Sequence, residues 1–273
     1  MERLGPQGQD VKVIAAKYDL YRGIFPPGMV FIVDRPHELM FERKEVFDTR
    51  DSHMVRAVVE YEPLGRARGK YSQDIVIKFP DLGRNNMFRQ EYEYFKMLAK
   101  KDYPWFPKPV GILDNPFGIA VTKCEGDKLS YLLSDNSNPN NPLTLSEKSH
   151  VLRELSKAFI ALMDEDIAIF DWKKADVIFD RKTKRVSYVD LNVAGTISQQ
   201  PFSPLPPSLY KFYENVVLPL IGQDYVFPYT PSGKKLSAIS RSFSDLPTSE
   251  QKRAITIHLQ NLTLEQTTAE FKN

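Results

Sequence analysis

The sequence has little cysteine, little net charge and no long apolar run, and each shortage narrows what the protein can be. Cys124 is the single cysteine among 273 residues, so no disulfide can form within the chain, which fits a reducing compartment. Thirty-seven basic residues face 35 acidic ones, and the resulting formal charge of +2 argues against nucleic acid as the main partner. No apolar stretch approaches the roughly 18 residues that span a bilayer, so no membrane is expected. The N-terminal MERLGPQGQDVKV has no apolar core of a secretory signal. A cytoplasmic protein is the expectation, with export by a route lacking a cleavable signal left open.

What is present suits a globular fold. Apolar residues make up 42% and charged residues 26%, and the length accommodates one large domain or two closely joined lobes. Prolines are densest over 201–231, where fewer regular elements are expected.

Residues 167–192, reading IAIFDWKKADVIFDRKTKRVSYVDLN, carry Asp171, Lys173, Asp176 and Asp190 in one short span. Two β-prone runs, 175–179 and 185–189, flank the polar connection 180–184, the pattern of a tight hairpin. Such a hairpin folds Asp190 back beside Asp171 and Asp176. Carboxylates gathered that closely repel one another unless a cation lies between them, and hard divalent cations prefer oxygen ligands. Two readings are open on spacing alone. One is a metal site with a lysine beside it; the other is a plain hairpin whose aspartates serve turns and strand ends.

Upstream, 41–47 and 54–61 are strand-like around a turn at 48–53, and 64–70 leads into a third strand over 74–80, DIVIKFP. Lys78 lies inside that strand on the face of Val76, with Ile75, Ile77 and Phe79 opposite. A lysine there either has a partner or blunts an edge strand. The helix predicted over 87–101 carries Phe88, Glu91, Phe95 and Leu98 on one stripe, and Glu91 is the charged residue on that apolar face. A Lys78–Glu91 ion pair is therefore expected. At a surface it would contribute only about 0–1 kcal/mol, so its value would lie in positioning Lys78, and Lys78→Met is expected to cut activity without unfolding the protein.

Strands over 107–113 and 118–122, around an Asn115-Pro116 turn, complete a five-stranded sheet with one helix. The segment 124–133 opens on a flexible Glu125-Gly126 and continues as a short helix, followed by the polar loop SDNSNPNNP. The strongest helix covers 144–163, capped by Thr144 or Ser146 and burying Val151, Leu152, Leu155, Phe159 and Leu162. Further helices are predicted over 209–220 and 248–262. Between them SGKKLSAISRSFSD reads either as a basic contact surface or as a solvated loop. Residues 1–50 contain the runs VKVIAA and MVFIV, which suggest no function.

In this order the parts resemble the protein kinase superfamily over roughly residues 54–192. Lys78 resembles the phosphate-binding lysine of that family and Glu91 its helix-borne partner. Val121, Thr122, Lys123 and Cys124 resemble the hinge that holds the adenine. IFDWKKADVIFD resembles the catalytic loop and VDLN the segment that follows it. The resemblance implies an α+β bilobal kinase-like fold. Residues 1–40 would be an extension of unknown role. Residues 41–124 would form an N-lobe with a five-stranded antiparallel sheet and one helix, and 125–273 a shortened, mainly helical C-lobe.

The same resemblance implies ATP and Mg²⁺ as cofactors and a division of labour among the charged residues. Lys78, steered by Glu91, would contact the α- and β-phosphates, and Asp176 and Asp190 would hold magnesium. Asp171 would accept the proton of the attacking hydroxyl, and Lys173 would stabilise the transferring phosphoryl group. A Ser, Thr or Tyr of a protein is the expected acceptor, with an activating partner protein also in view. No G-x-G-x-x-G precedes Lys78, and the glycine-free DTRDSH stands at that turn. Ile169 and Phe170 occupy the positions of the family's histidine and arginine, Leu191 and Asn192 follow Asp190, and no A-P-E occurs later. These departures imply a different phosphate cover and no regulation by activation-loop phosphorylation. They keep two alternatives open, a pseudokinase acting as a nucleotide-binding or scaffold module and a small-molecule kinase.

Overall fold

Runs rich in valine, isoleucine and aromatic residues dominate the first part of the chain, and they form strands because branched and aromatic side chains pack well on a pleated surface. The computed structural model describes the backbone of residues 11–14, 32–33, 40–48, 52–61, 71–80, 83–114, 117–134, 142–221 and 246–270, with side chains over 74–80, 83–112, 117–134, 142–221 and 246–262. Residues 49–51 of the turn predicted at 48–53, the turns predicted at 64–70 and 115–116, residues 135–141 of the polar loop and the serine- and lysine-rich stretch 232–245 lie outside these residues. The protein is an α+β structure in two units, Met1–Lys101 with Pro107–Cys124, and Asp102–Phe106 with Glu125–Asn273. No helix among the described residues is long and apolar enough to cross a membrane.

The first unit is built on one sheet. Its strands are β1 (Val11–Ile14), β2 (Ile32–Val33), β3 (Met40–Asp48), β4 (Ser52–Tyr61), β5 (Tyr71–Pro80), β6 (Pro109–Asp114) and β7 (Phe117–Thr122), in the order β2-β1-β6-β7-β5-β4-β3. The expected meander is present as β3, β4 and β5, with Phe47 opposite Met54 and Ile77 opposite Val55. The sheet has seven strands where the sequence suggested five, and it is not wholly antiparallel, because β1 runs parallel to β6. An unpaired β6 edge would leave backbone donors and acceptors exposed, and the VKVI run covers it. Helix α1 (Asn85–Lys100) buries Phe88, Glu91, Tyr92, Tyr94, Phe95 and Leu98.

The second unit contains β8 (Asp127–Lys128), α2 (Leu129–Leu132), α3 (Leu145–Asp164), β9 (Ile167–Ile169), β10 (Val177–Asp180), β11 (Arg185–Tyr188) and β12 (Ala194–Thr196). The hairpin β10–β11 pairs Val177 with Tyr188 and Asp180 with Arg185. Asp180 serves the turn itself, accepting from the Lys182 amide at 2.9 Å and the Thr183 hydroxyl at 2.6 Å. Glycine at 126 is a conformational requirement, not the source of flexibility the sequence suggested. Its φ is +114°, and a β-carbon there would meet the Phe179 carbonyl oxygen of β10.

Thr144 is the cap of α3. Its hydroxyl accepts from the Glu147 amide at 3.1 Å, and the Glu147 carboxylate accepts from the Thr144 amide at 3.0 Å. Glu147 also accepts from Arg181 and Lys184 of the hairpin, both at 3.1 Å. Burial raises the pKa of Glu147, but the Thr144 amide and the two cations outweigh it and leave the group below its usual range. The segment Asp102–Phe106 is fixed to this unit, with Tyr188 donating its amide to the Trp105 carbonyl at 2.8 Å and Trp105 Nε1 donating to Glu154 at 2.9 Å.

The helix expected at 209–220 begins earlier, as α4 (Leu205–Phe212), passes through a π-helical turn at Tyr213–Val217 and ends as α5 (Leu218–Ile221). Pro206 and Pro207 are compatible with its first turn, where amides need no intrahelical partner. Helix α6 (Thr248–Glu270) buries Ile255, Leu259 and Leu262, and His258 Nε2 is hydrogen-bonded to the Tyr213 hydroxyl at 2.6 Å.

Gly126→Ala is expected to lower stability by at least about 2 kcal/mol in urea unfolding, since backbone rather than a movable side chain blocks the new methyl group. Burial also depresses the pKa of His258 below 6.5, so the unfolded state takes up its proton first as pH falls. The His258 contribution is complete above pH 6.5 and is lost as pH falls from there toward the folded-state pKa. The thermal midpoint should therefore drop between pH 7.5 and pH 5 by more in wild type than in His258→Gln.

Candidate functional site

Lys78 sits in the middle of the sheet and not at an edge. Strand β5 is bonded to β4 on one side and β7 on the other, with Lys78 opposite Met54 and Ile119. Its Nζ lies 2.6 Å from Glu91 Oε1 on α1, with side-chain exposures of 6% and 0%. This placement removes the edge-strand reading and corrects the expectation of a weak surface pair. In water the pair would gain little, but buried it must stay whole, because removing one partner strands a desolvated charge. Phe88, Tyr92 and Ile119 form an apolar cluster close to it in the first unit.

The segment resembling an adenine hinge is partly committed to the fold. The Thr122 amide donates to the Lys108 carbonyl at 2.8 Å and the Lys123 amide to the Asp74 carbonyl at 3.0 Å. Val121 pairs with Val76 and Pro109, and the half-buried Cys124 ends the unit. The Thr122 and Lys123 amides are thus satisfied by the protein itself.

In the second unit, β9 ends at Ile169 and the chain makes a loop before the 3-10 turn Lys174–Asp176. Trp172 turns wholly inward while Asp171 and Lys173 on either side remain half-exposed. Lys173 Nζ approaches Asp171 Oδ2 to 2.5 Å. The hairpin returns the chain so that the Val189 amide donates to the Asp176 carbonyl at 2.9 Å, which brings Asp190 alongside. Asp190 Oδ1 accepts from the Asn192 amide at 3.2 Å.

Two titrating groups report the resulting field. The Asp171 hydrogen bond raises the pKa of Lys173, and the charges of Asp176 and Asp190 add to it against partial burial. Complete burial pushes the Tyr188 hydroxyl well above 10, and Asp176 and Asp190 push it further. Lys173 is thus bonded to Asp171 and feels the charges of Asp176 and Asp190, and it stays protonated throughout the physiological range.

The expectation of three carboxylates closing on one ion needs correction. Among the described residues no group of three or more His, Cys, Asp and Glu could hold a metal ion. Asp171 turns to Lys173, leaving Asp176 and Asp190 as the candidate oxygen donors. Two carboxylates fit magnesium, which keeps several waters and takes its other ligands from substrate phosphates. Sequence reasoning missed Tyr188 and Trp172, although an indole between two charged residues was a visible signal. It also missed Ser208 and Asn215, whose side chains bond the Trp172 ring nitrogen and carbonyl oxygen and which carried no such signal. No protein-family model and no curated protein matches the chain.

Lys78→Met is now expected to lower stability by about 3–5 kcal/mol, and Lys78→Met/Glu91→Leu should recover most of that loss in chemical unfolding. Equal instability of the single and double variants would mean that the pair is not what holds Lys78.

Proposed function

We propose that this chain is an ATP- and Mg²⁺-dependent phosphotransferase of the protein kinase-like class, acting on a Ser, Thr or Tyr hydroxyl of a protein. The observation that carries the reading is the Lys173–Asp171 ion pair at 2.5 Å on a loop whose Asp176 carbonyl accepts from the Val189 amide, next to Asp190. The buried Lys78–Glu91 pair supports it, as does the antiparallel run β6-β7-β5-β4-β3 on which Lys78 is central.

Phosphoryl transfer needs positioning and charge neutralisation more than covalent help from the protein. Magnesium supplies neutralisation of the phosphate charge when bound. Asp176 and Asp190 would hold it, and Lys78, kept in place by Glu91, orients the α- and β-phosphates. The acceptor oxygen bonds to the γ-phosphorus as the bond to the β-phosphate oxygen breaks, releasing ADP. Asp171 takes the hydroxyl proton. Lys173 holds the Asp171 carboxylate in place and offsets charge developing on the transferred group.

A second reading, a scaffold module without turnover, is favoured by the committed Thr122 and Lys123 amides, which an adenine could not use. Labelled ATP with Mg²⁺ and generic protein substrates separates the two. Transfer should fall about 10²- to 10⁴-fold in Asp171→Ala and vanish in Asp190→Ala. Label transfer unchanged in both variants removes the proposed chemistry. If the wild type transfers nothing and MgATP does not raise its thermal midpoint, the phosphotransferase reading falls.

A further inference from the structure

Asn215 holds the peptide next to Asp171. Its Nδ2 donates to the Trp172 carbonyl oxygen at 2.8 Å. Asn215 belongs to the π-helical turn Tyr213–Val217, inserted between α4 and α5. Such turns carry an extra residue per turn, shift the direction of the side chains in and beyond them, and recur at functional sites. Here Tyr213, Val216 and Val217 are fully buried, while Asn215 between them reaches a backbone oxygen of the loop.

Trp172 is fixed by more than this one bond. Its ring lies 4.5 Å from that of Tyr188, 5.0 Å from that of Phe212 and 5.5 Å from that of Phe159, measured between centroids. Its Nε1 donates to Ser208 Oγ on α4 at 3.3 Å. On the other side of Asp171, the Phe170 amide donates to the Val193 carbonyl at 3.0 Å, and the Tyr188 hydroxyl lies 3.5 Å from the Asp171 carbonyl. Asp171 is thus a half-exposed residue in a short segment whose flanks are tied down.

We propose that Asn215 is a positioning residue for Asp171: by fixing the Trp172 peptide, it sets the direction in which the Asp171 carboxylate leaves the backbone. The role rests on the phosphotransferase reading of Asp171. An amide can donate to the Trp172 oxygen, whereas a carboxylate of the same shape would repel it and an aliphatic group would leave it unbonded.

The test compares Asn215→Leu and Asn215→Asp with wild type, and repeats the comparison in a Trp105→Phe background, where Trp172 is the sole remaining indole of the chain's two. The expected result is a kcat about 10- to 100-fold lower with the KM for MgATP within about twofold. Trp172 emission should move to longer wavelength in both variants. If Asn215→Leu does not fold, the nearly isosteric Asn215→Asp carries the same comparison. An unchanged kcat in a folded variant, or a raised KM with kcat intact, overturns the positioning role. If the wild type transfers no phosphoryl group, the phosphotransferase reading falls and the positioning role falls with it. In that case emission still decides the tether: a shift retains it, and an unchanged spectrum removes it.

Discussion

Trp172 is completely buried between two charged neighbours that are not, and much of the second unit depends on that alternation. A large aromatic side chain gains more from leaving water than any other, so its pocket fixes the local chain direction strongly. With the indole inward, Asp171 and Lys173 must leave the opposite side of the backbone and stay near solvent. Phe159 from α3, Tyr188 from β11 and Phe212 from α4 each supply a wall of the pocket. One apolar anchor thereby sets the positions of two polar groups.

The first unit solves a related problem by a different route. Lys78 is denied water by a sheet bonded on both sides and by the apolar face of α1, so only a carboxylate at hydrogen-bond distance makes its position tolerable. Glu91 is therefore part of the condition for placing a cation in a central strand. The two units share the device of an apolar surround that dictates where a charge points. In one the charge is buried with its partner, and in the other it is left at the surface.

Much of this was legible from residues that are unusual for their surroundings. Lys78 among isoleucines and Glu91 on an aromatic stripe announced each other because each breaks a local period. The β10–β11 hairpin and the Thr144 cap were readable because both are made of near neighbours in sequence. The kinase-like character itself remains a proposal. What escaped sequence reading depends on distant pairings: the parallel β1–β6 contact, the attachment of Asp102–Phe106 to the second unit, and the reach of Ser208 and Asn215 to Trp172. Asn215 is one polar residue in a helical run, and nothing in its neighbours foretells a π-turn. Gly126 was misread for a similar reason, since the backbone that crowds it comes from β10.

Glu147 belongs at once to the first turn of α3 and to the tip of the β10–β11 hairpin. The helix cap forms between residues three apart and the hairpin closes on itself, so each can arise quickly from local chain motion. Neither event requires the other until the carboxylate meets Arg181 and Lys184, which closes a much longer loop. Glu147 is thus a junction between two fast local events and one slow distant one. One carboxylate thereby ties the start of a helix to the tip of a hairpin more than thirty residues away.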